Sequence, residues 1–338
     1  MTGSNRILIG DAAKTLRKLP AASVDCVVTS PPYFQLRNYQ HDGQLGLEPH
    51  VEDWVEELRR VLREINRVLT PTGTVWLNVG DSYSTGEAHG AQPKSLLLGP
   101  ERLALSLLKD GWIIRNKIVW AKRNPMPSPT RDRLAPTWEA MYLLVRQRDY
   151  FFDLDAVRVP HKTKFKPASP KRGWSVPPDW RVTTSSTNSG LDALNAAGRV
   201  GHPLGKNPGD VWFLSTASYR GPHHAVFPAS LVERPILAGC PAQRCTRCRS
   251  PWRREATRKL GHLAVRGELH PTCGCRARPE PGLVLDPFIG SGTTAIVAER
   301  LGRNWLGIEL NPTFARLAQH RIAAARDPTS GAAHQSAA

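Results

Sequence analysis

The sequence predicts an α/β protein whose sheet is mostly parallel. Three observations predict this class. Short apolar runs alternate with segments of helical periodicity over residues 6–121, and the same alternation returns over residues 283–325. Glycine, proline or an acidic residue stands where several of these elements end. A long irregular segment, 160–222, separates the two regular parts and is predicted to be an insertion.

The elements of the first part follow from local periodicity. Val51–Leu69 has apolar residues at helical intervals, and Thr70-Pro-Thr-Gly73 predicts its end. Val24-Asp-Cys-Val-Val-Thr29 is a short, mostly apolar run of the kind found in buried strands. The predicted order is strand 6–11, helix 12–19, strand 24–29, helix 51–69, strand 74–79, helix 100–110 and strand 113–121.

The second part resumes after the irregular segment. Its predicted order is an extended run 225–228, helix 229–238, strand 283–286, helix 293–301, strand 305–309 and helix 312–325. The tail from Asp327 is small and polar, which predicts disorder. No internal repeat is found in the sequence.

Charge is the strongest compositional signal. The chain has 338 residues, with 46 Lys and Arg against 29 Asp and Glu, a formal net charge of +17. The excess is concentrated in 160–222 and 240–280, which predicts a polyanionic partner such as nucleic acid. The hydrophobic fraction of 40% is enough for a core, and no apolar run is long enough to span a bilayer. The polar N-terminus has no signal-peptide pattern, so we expect a cytoplasmic, nucleoid-associated protein without a membrane partner.

Two motifs carry the chemistry. Asp286-Pro-Phe-Ile-Gly-Ser-Gly-Thr-Thr294 is a strand end followed by a glycine turn that opens a helix, and Glu309 ends the next strand. It lacks the lysine of a phosphate loop, so the pattern favours a nucleoside-type cofactor whose ribose an acid could bind. Thr29-Ser-Pro-Pro-Tyr33 follows a buried strand. Its prolines remove N–H donors and leave carbonyl acceptors, and Tyr33 could stack on a base.

Together the two motifs resemble the amino-methyltransferases of DNA. The tetrapeptide Ser30-Pro-Pro-Tyr33 precedes a recognition region, and the glycine motif lies near the C-terminus, an order that resembles the family's β group. Asp11, the segment His224–Leu231 and the segment Gly205–Trp212 also resemble this family. The resemblance implies a Rossmann-like S-adenosylmethionine-dependent methyltransferase fold with circularly permuted motifs. It also implies methyl transfer to an exocyclic amine of a base rotated out of duplex DNA.

The resemblance also assigns residues. The tetrapeptide Ser30, Pro31, Pro32 and Tyr33 would hold the target base, with Ser30 and the Pro31 carbonyl accepting hydrogen bonds from the amine. The residues it implies for S-adenosylmethionine are Asp11, Asp286, Phe288, Gly290, Ser291, Gly292, Thr293, Glu309 and Asn311.

The sequence leaves alternatives open for the base that is methylated and for the class of protein. Ser at the first position of the tetrapeptide resembles N4-cytosine enzymes, and N6-adenine methylation is the alternative. Methylation at cytosine C5 would need a cysteine nucleophile, and neither Cys26 nor Cys240 has a suitable context. A non-catalytic DNA-binding protein of this fold is a different-class alternative, although both motifs are intact. RNA as the substrate is another, and would favour single-stranded over duplex substrate.

Five of the six cysteines lie between 240 and 275. Cys245-x2-Cys248 and Cys273-x-Cys275 form two close pairs, a pattern that favours a structural zinc knuckle. Cys240, His262 and His270 are alternative ligands, and reduced thiols without metal are the other interpretation. The basic residues around the pairs predict a second DNA contact.

DNA contacts are expected mainly in the irregular segment, where basic residues are interleaved with Trp174 and Trp180. The candidates are Lys162, Lys164, Lys166, Lys171, Arg172 and Arg181. Double-stranded DNA is the expected partner, and a cognate restriction endonuclease acting separately is a candidate second one. The predicted organisation is a catalytic half at 1–159, target recognition at 160–222, a cofactor half at 223–239 and 281–326, a Cys-rich insertion at 240–280 and a tail at 327–338.

Overall fold

A computed structural model describes residues 4–161, 202, 204–217, 226–254 and 267–327. The chain divides into two compact units. The first comprises residues 1–153, 209–252 and 271–338, and the second comprises residues 154–208 and 253–270. The candidate DNA-binding residues of the irregular segment lie outside the described residues, as does His262.

The first unit contains an eight-stranded sheet. Its strands are β1 (Arg6–Ile9), β2 (Val24–Thr29), β3 (Leu69–Val79), β4 (Ile113–Lys122), β5 (Trp138–Val145), β6 (Val211–Leu214), β11 (Leu283–Asp286) and β12 (Asn304–Glu309). Across the sheet they follow the order β1-β12-β11-β2-β3-β5-β4-β6. Two short pairs stand outside it: β7 (Arg244–Cys245) with β10 (Pro279–Glu280), and β8 (Trp252–Arg254) with β9 (Leu269–Pro271).

The sheet is parallel except for β5, which runs antiparallel to both β3 and β4. The predicted mostly parallel α/β fold is therefore confirmed. The sequence analysis predicts no strand at Trp138–Val145 or at Val211–Leu214. Because β5 reverses direction, its first residues lie at the edge of the sheet where the parallel strands end, which matters for the site described below.

Helices cover both faces of the sheet. They are α1 (Ala12–Arg17), α2 (Val51–Val68), α3 (Gly99–Lys109), α4 (Ala229–Gly239), α5 (Thr293–Arg300) and α6 (Pro312–Arg326). Buried residues of α1, α2 and α3 share a core with Val75 and Leu77 of β3. The last residue of α4, Gly239, instead lies against Thr74 and Trp76. Since successive side chains of a strand point to opposite faces, α2 and α4 pack on opposite sides of β3.

The predicted helix and strand limits mostly agree within a few residues of the observed ones. The amphipathic helix ends at Val68 as its periodicity predicts, but the chain enters β3 at once, at Leu69. The predicted breaker Thr70-Pro-Thr-Gly73 is thus part of the strand, before β3 pairs with β5 at Thr74. Among the described residues, no helix is both long and apolar enough to cross a membrane.

Candidate active site

A cavity of about 760 Å³ lies within the first unit, at the edge where the parallel strands end. Residues at or just after the C-terminal ends of β1, β2, β3, β4 and β12 line it, as does Glu139 at the start of β5. Ligand sites of α/β proteins lie at this edge of the sheet. One cavity therefore joins the predicted cofactor motif to the predicted tetrapeptide, with Phe288 lining it from the former and Ser30 from the latter.

The glycine motif forms a tight turn between β11 and α5. Gly290 and Gly292 have φ of 49° and 83°, a region that glycine adopts without the steric cost of a Cβ. Asp286 is buried beneath this turn, where it accepts hydrogen bonds from Thr29 Oγ1 (2.7 Å) and Thr294 Oγ1 (2.6 Å). Burial raises the pKa of Asp286 to about 6, although these hydrogen bonds oppose the shift. The carboxyl of Asp286 therefore ties the turn to β2.

Glu309 holds the other side of the same turn. Its carboxylate accepts hydrogen bonds from the backbone N–H groups of Gly290 and Asn311, both at 2.9 Å. Burial raises the pKa of Glu309. Because a carboxylate already accepts an amide of the glycine turn, the turn is poorly suited to a phosphate group. It suits a ligand that presents hydroxyl or amine donors.

Asp11 and Asn311 line the cavity from the starts of two helices. Each follows a strand, and each side chain caps the N-terminus of the helix that comes next in the chain. Asp11 accepts a hydrogen bond from Lys14 N at 2.7 Å, and Asn311 accepts one from Thr313 N at 2.8 Å. Capping fixes both side chains at the cavity wall. Together with Glu309 and the ring of Phe288, they give a site with polar acceptors and an apolar surface, which fits a nucleoside with a short apolar chain.

The tetrapeptide leaves the end of β2 and forms the other part of the wall. Ser30, Pro31, Pro32 and Tyr33 all line the cavity. The Pro32 carbonyl accepts a hydrogen bond from the Trp54 indole at 2.9 Å, which anchors the prolines to α2. The backbone of the tetrapeptide is thus held by the helix packed beneath it.

Tyr33 is the centre of a hydrogen-bond network that the sequence analysis did not predict. Its hydroxyl donates to Glu139 Oε2 (2.7 Å) and accepts from Ser30 Oγ (3.1 Å) and Asn78 Nδ2 (2.6 Å). Asn78 Nδ2 also lies 2.8 Å from Glu139 Oε2, and Lys122 Nζ lies 2.6 Å from Glu139 Oε1. Four strand ends, those of β2, β3, β4 and β5, therefore meet at one carboxylate.

The ring of Tyr33 is fixed as firmly as its hydroxyl. A Cβ placed on Gly80 would lie 2.4 Å from Tyr33 Cε2, so the ring rests directly on the glycine backbone at the end of β3. Burial and the neighbouring Glu139 raise the pKa of Tyr33 well above its ordinary value. The phenol therefore stays protonated at neutral pH and remains a donor to Glu139.

Most of the residues predicted from sequence line this cavity, namely Asp11, Ser30, Pro31, Pro32, Tyr33, Phe288, Gly290, Ser291, Thr293, Glu309 and Asn311. Asp286 and Gly292 were also expected at the cofactor, but neither lines the cavity. Asp286 bonds to Thr29 beneath the glycine turn, and Gly292 is the N-cap residue of α5. Asn78, Lys122 and Glu139 were missed. They lie far from both motifs in sequence, and only the pairing of β3, β4 and β5 brings them together.

The paired cysteines form a separate cluster. The Sγ atoms of Cys245, Cys248, Cys273 and Cys275 all lie within 4.8 Å of one another. Cys240 is fully buried against Gly282 and is not part of this group.

Comparison with known proteins adds independent findings. A family model described as DNA methylase matches residues 24–320. The chain is 31% identical to the type II methyltransferase M.SfiI of Streptomyces fimbriatus, over 91% of the chain and 88% of that protein. It is 32% identical to the type II methyltransferase M.SmaI of Serratia marcescens, over 94% of the chain and 91% of that protein.

Solved structures share the fold. The PvuII cytosine-N4-specific DNA methyltransferase superposes with a TM-score of 0.58 at 18% identity, covering 95% of this chain and 87% of that one. A protein described as a DNA modification methylase from Thermus thermophilus, in complex with S-adenosyl-L-methionine, gives a TM-score of 0.51 at 25% identity, covering 95% of both chains.

Proposed function

Since the chain belongs to the DNA methylase family of N6 and N4 methyltransferases, we propose that it methylates the N4 amine of cytosine at specific sites in duplex DNA. The observation that carries the proposal is the network at the end of β2. There a neutral serine hydroxyl, rather than a carboxylate or an amide, occupies the first position of the tetrapeptide, and Tyr33 and Asn78 hold it at the cavity wall.

S-adenosylmethionine is the methyl donor in this proposal. The fit rests on the glycine turn, the three polar side chains Asp11, Glu309 and Asn311, and the half-buried ring of Phe288 at the cavity wall. When bound, the cofactor supplies a methyl group carried on a sulfonium. Glu309 and Asp11 would bind its hydroxyl and amine donors, and Ser291 and Thr293 would line its amino-acid end.

The tetrapeptide binds and orients the base amine. A paired cytosine cannot present its amine to this recessed edge, so the base is rotated out of the duplex into the cavity. Ser30 Oγ and the Pro31 carbonyl accept hydrogen bonds from the amine, which draws its lone pair out of conjugation with the ring. Positioning and local electrostatics then supply most of the catalysis, without a covalent intermediate on the protein.

The hydrogen-bond network also provides an acceptor for the proton that the amine releases. N-methylation of an amino group releases one proton. Ser30 Oγ–H donates to the Tyr33 oxygen, and Tyr33 O–H donates to Glu139, so each hydroxyl can accept one proton and pass on its own. The proton ends on the Glu139 carboxylate, whose other oxygen, Oε1, pairs with Lys122 Nζ at 2.6 Å. Each hydroxyl is restored by the transfer, so the relay balances.

The remaining roles follow from charge and family. Lys162, Lys164, Lys166, Lys171, Arg172 and Arg181 contact DNA in this proposal, mostly at phosphates. A restriction endonuclease with the same recognition sequence, acting separately, fits the type II relatives. We expect the protein to act in the cytoplasm, on nucleoid DNA.

The proposal is tested by long-read sequencing of DNA from a methylation-deficient bacterial host that expresses the chain. We expect N4-methylcytosine at every copy of one short sequence, and none in a host that expresses the Tyr33→Ala variant. N6-methyladenine at a specific sequence would overturn the choice of base. Unmodified DNA, despite folded protein that binds S-adenosylmethionine, would overturn the duplex-DNA substrate.

A further inference from the structure

We propose that Cys245, Cys248, Cys273 and Cys275 bind one structural zinc ion, which fixes the insertion between α4 and β11 to the sheet. The four Sγ atoms already lie within 4.8 Å of one another. In a tetrahedral Zn–thiolate site with bonds of about 2.3 Å, the sulfur atoms lie roughly 3.8 Å apart. The widest pair therefore needs to close by about 1 Å, a change within reach of side-chain rotation.

The backbone is already shaped for chelation. Cys245 lies in β7, which pairs antiparallel with β10 so that Cys245 faces Pro279. From there the chain turns back on itself: Arg249 N donates to the Cys245 carbonyl and Cys245 N donates to Ser250 O, both at 2.9 Å. Arg249 has a φ of 61°, which such a tight turn requires. Cys245 and Cys248 are thereby presented from one turn.

The chemistry of the donors selects zinc. Four thiolates from two short chelating segments form the ligand set of structural zinc sites, and soft sulfur disfavours magnesium or calcium. The other two cysteines, Cys26 and Cys240, are not among the thiols whose Sγ atoms lie within 4.8 Å of one another. A protein coordination shell of four leaves no open position for water, so the site is structural rather than catalytic.

The place of the cluster in the fold supports the same role. Arg244, next to Cys245, donates to Asp25 Oδ2 (2.7 Å) and to the Ser23 carbonyl (2.8 Å) near the start of β2. Asp25 Oδ2 also accepts from Leu283 N, at the start of β11. The cluster thus adjoins the edge where β2 and β11 begin, and the cavity lies at the edge where they end.

The insertion has little apolar surface of its own. Between Cys240 and Glu280 the sequence contains ten Lys and Arg and few large apolar residues. Metal binding is coupled to local folding, so its free energy can offset the conformational entropy that such a segment loses on folding. The zinc would therefore hold the chain that leads into β11, whose far end carries the glycine turn.

This placement changes one expectation from the sequence. Arg244 and Arg249 were predicted to contribute to a second DNA contact. Arg244 is buried, and Arg249 donates to the Ala22 carbonyl at 2.7 Å, so both dock the insertion onto the sheet. Arg247 remains exposed.

The experiment measures metal in the untagged full-length protein, purified without added zinc. We expect about one equivalent of zinc by mass spectrometry, and X-ray absorption showing four sulfur neighbours at about 2.3 Å. Cys248→Ser, at an exposed position, should lose most of the zinc. Cys240→Ala, which removes a neighbouring thiol outside the cluster, should keep it.

Three results would overturn the proposal: a metal-free protein that takes up no zinc, a coordination shell containing nitrogen or oxygen, or full zinc retention in Cys248→Ser and Cys273→Ser alike. If the serine variants do not fold, the absorption spectrum of the unaltered protein still decides. All of these readouts are independent of methylation, so the metal site can fail while the proposed activity stands.

Discussion

Gly80 lets the ring of Tyr33 lie against the backbone at the end of β3. Alanine at this position would place a Cβ 2.4 Å from Tyr33 Cε2, and the ring would have to move. We expect Gly80→Ala to lower the rate of methylation at least about 10-fold, because a misplaced group near the reacting atoms costs orientation. Affinity for S-adenosylmethionine, measured by calorimetry, should be unchanged.

Gly86→Ala is the matched control. A Cβ there meets no atom within 4 Å, and the backbone of Gly86 is extended. Equal activity of the two alanine variants would contradict the view that the position of the Tyr33 ring limits catalysis.

Glu139 is the acceptor at the end of the hydrogen-bond network. Glu139→Gln keeps the shape of the side chain but removes the carboxylate that accepts from Tyr33. We expect single-turnover methylation to slow by about 100-fold, the usual size of a lost acid–base contribution, at unchanged cofactor affinity. Glu101 is an acid that pairs with Lys117 at the protein surface. The Glu101→Gln variant is therefore the control, and it should retain full activity. A Glu139→Gln variant with the original rate would remove Glu139 from the mechanism.

Asp286 gives a pH-dependent prediction. Burial raises its pKa from 3.8 to about 6, so between these two values the folded state keeps a proton that the unfolded state has released. The resulting loss of stability is absent below the lower value, grows as the pH rises, and is complete above the higher one. Asp286→Asn removes this loss, since an amide can keep the bonds to Thr29 and Thr294.

The stability of Asp286→Asn relative to the original protein should therefore rise between pH 4 and pH 7, by about 2 kcal/mol. Urea unfolding at the two pH values measures this change. A difference between the two proteins that does not vary with pH would show that the pKa of this carboxyl is the same in the folded and unfolded states.

The buried pair of Asp25 and Arg244 joins β7 to the first residues of β2. The two side chains are 3% and 8% exposed, and Arg244 also pairs with Glu280 at 2.8 Å. Loss of Arg244 therefore leaves the buried Asp25 carboxylate without its cationic partner. Arg244→Met should lower the free energy of unfolding by about 3–5 kcal/mol, and combining it with Asp25→Asn should recover part of the loss.

Arg300→Ala provides the comparison for this pair. Arg300 pairs with Glu233 at the surface, where an ion pair contributes at most about 1 kcal/mol. Chemical unfolding of the variants measures both effects. Equal losses for Arg244→Met and Arg300→Ala would mean that the insertion is not anchored through Asp25.

Some strands of the sheet could be predicted from the sequence, and others could not. β2 and β11 were predictable because each is an apolar run that ends in a recognisable motif, at Ser30 and at Asp286. β5 was not, because the short apolar run 140–145 carries no signal for the direction of the strand or for its neighbours. Glu139 reaches Tyr33 only through that antiparallel pairing, so this part of the active-site network could not be predicted from local patterns.

Asp286 illustrates the other limit. The motif predicts it at the end of a strand, beside the glycine turn, and Asp286 does end β11. Its side chain, however, faces Thr29 and Thr294 within the fold. A motif identifies which residues a site requires, whereas only packing shows which of them reach the ligand.

The charge of the chain and the topology of its sheet both fit methylation of DNA. A net charge of +17 favours binding to a phosphate backbone, and a single edge of the sheet in the first unit carries both the glycine turn and the tetrapeptide. The permuted order of these motifs along the chain does not alter the site, because parallel strands bring their ends to the same edge whatever their order in sequence.

The chemical identity of the methylated nucleoside decides which base the protein modifies. Duplex DNA that contains the recognition sequence would be incubated with the purified protein and isotopically labelled S-adenosylmethionine, then digested to nucleosides for mass spectrometry. We predict that the label appears in N4-methyldeoxycytidine and that Tyr33→Ala forms none of it. Label in N6-methyldeoxyadenosine or in 5-methyldeoxycytidine would contradict the account of how Ser30 and Tyr33 select and hold the target amine.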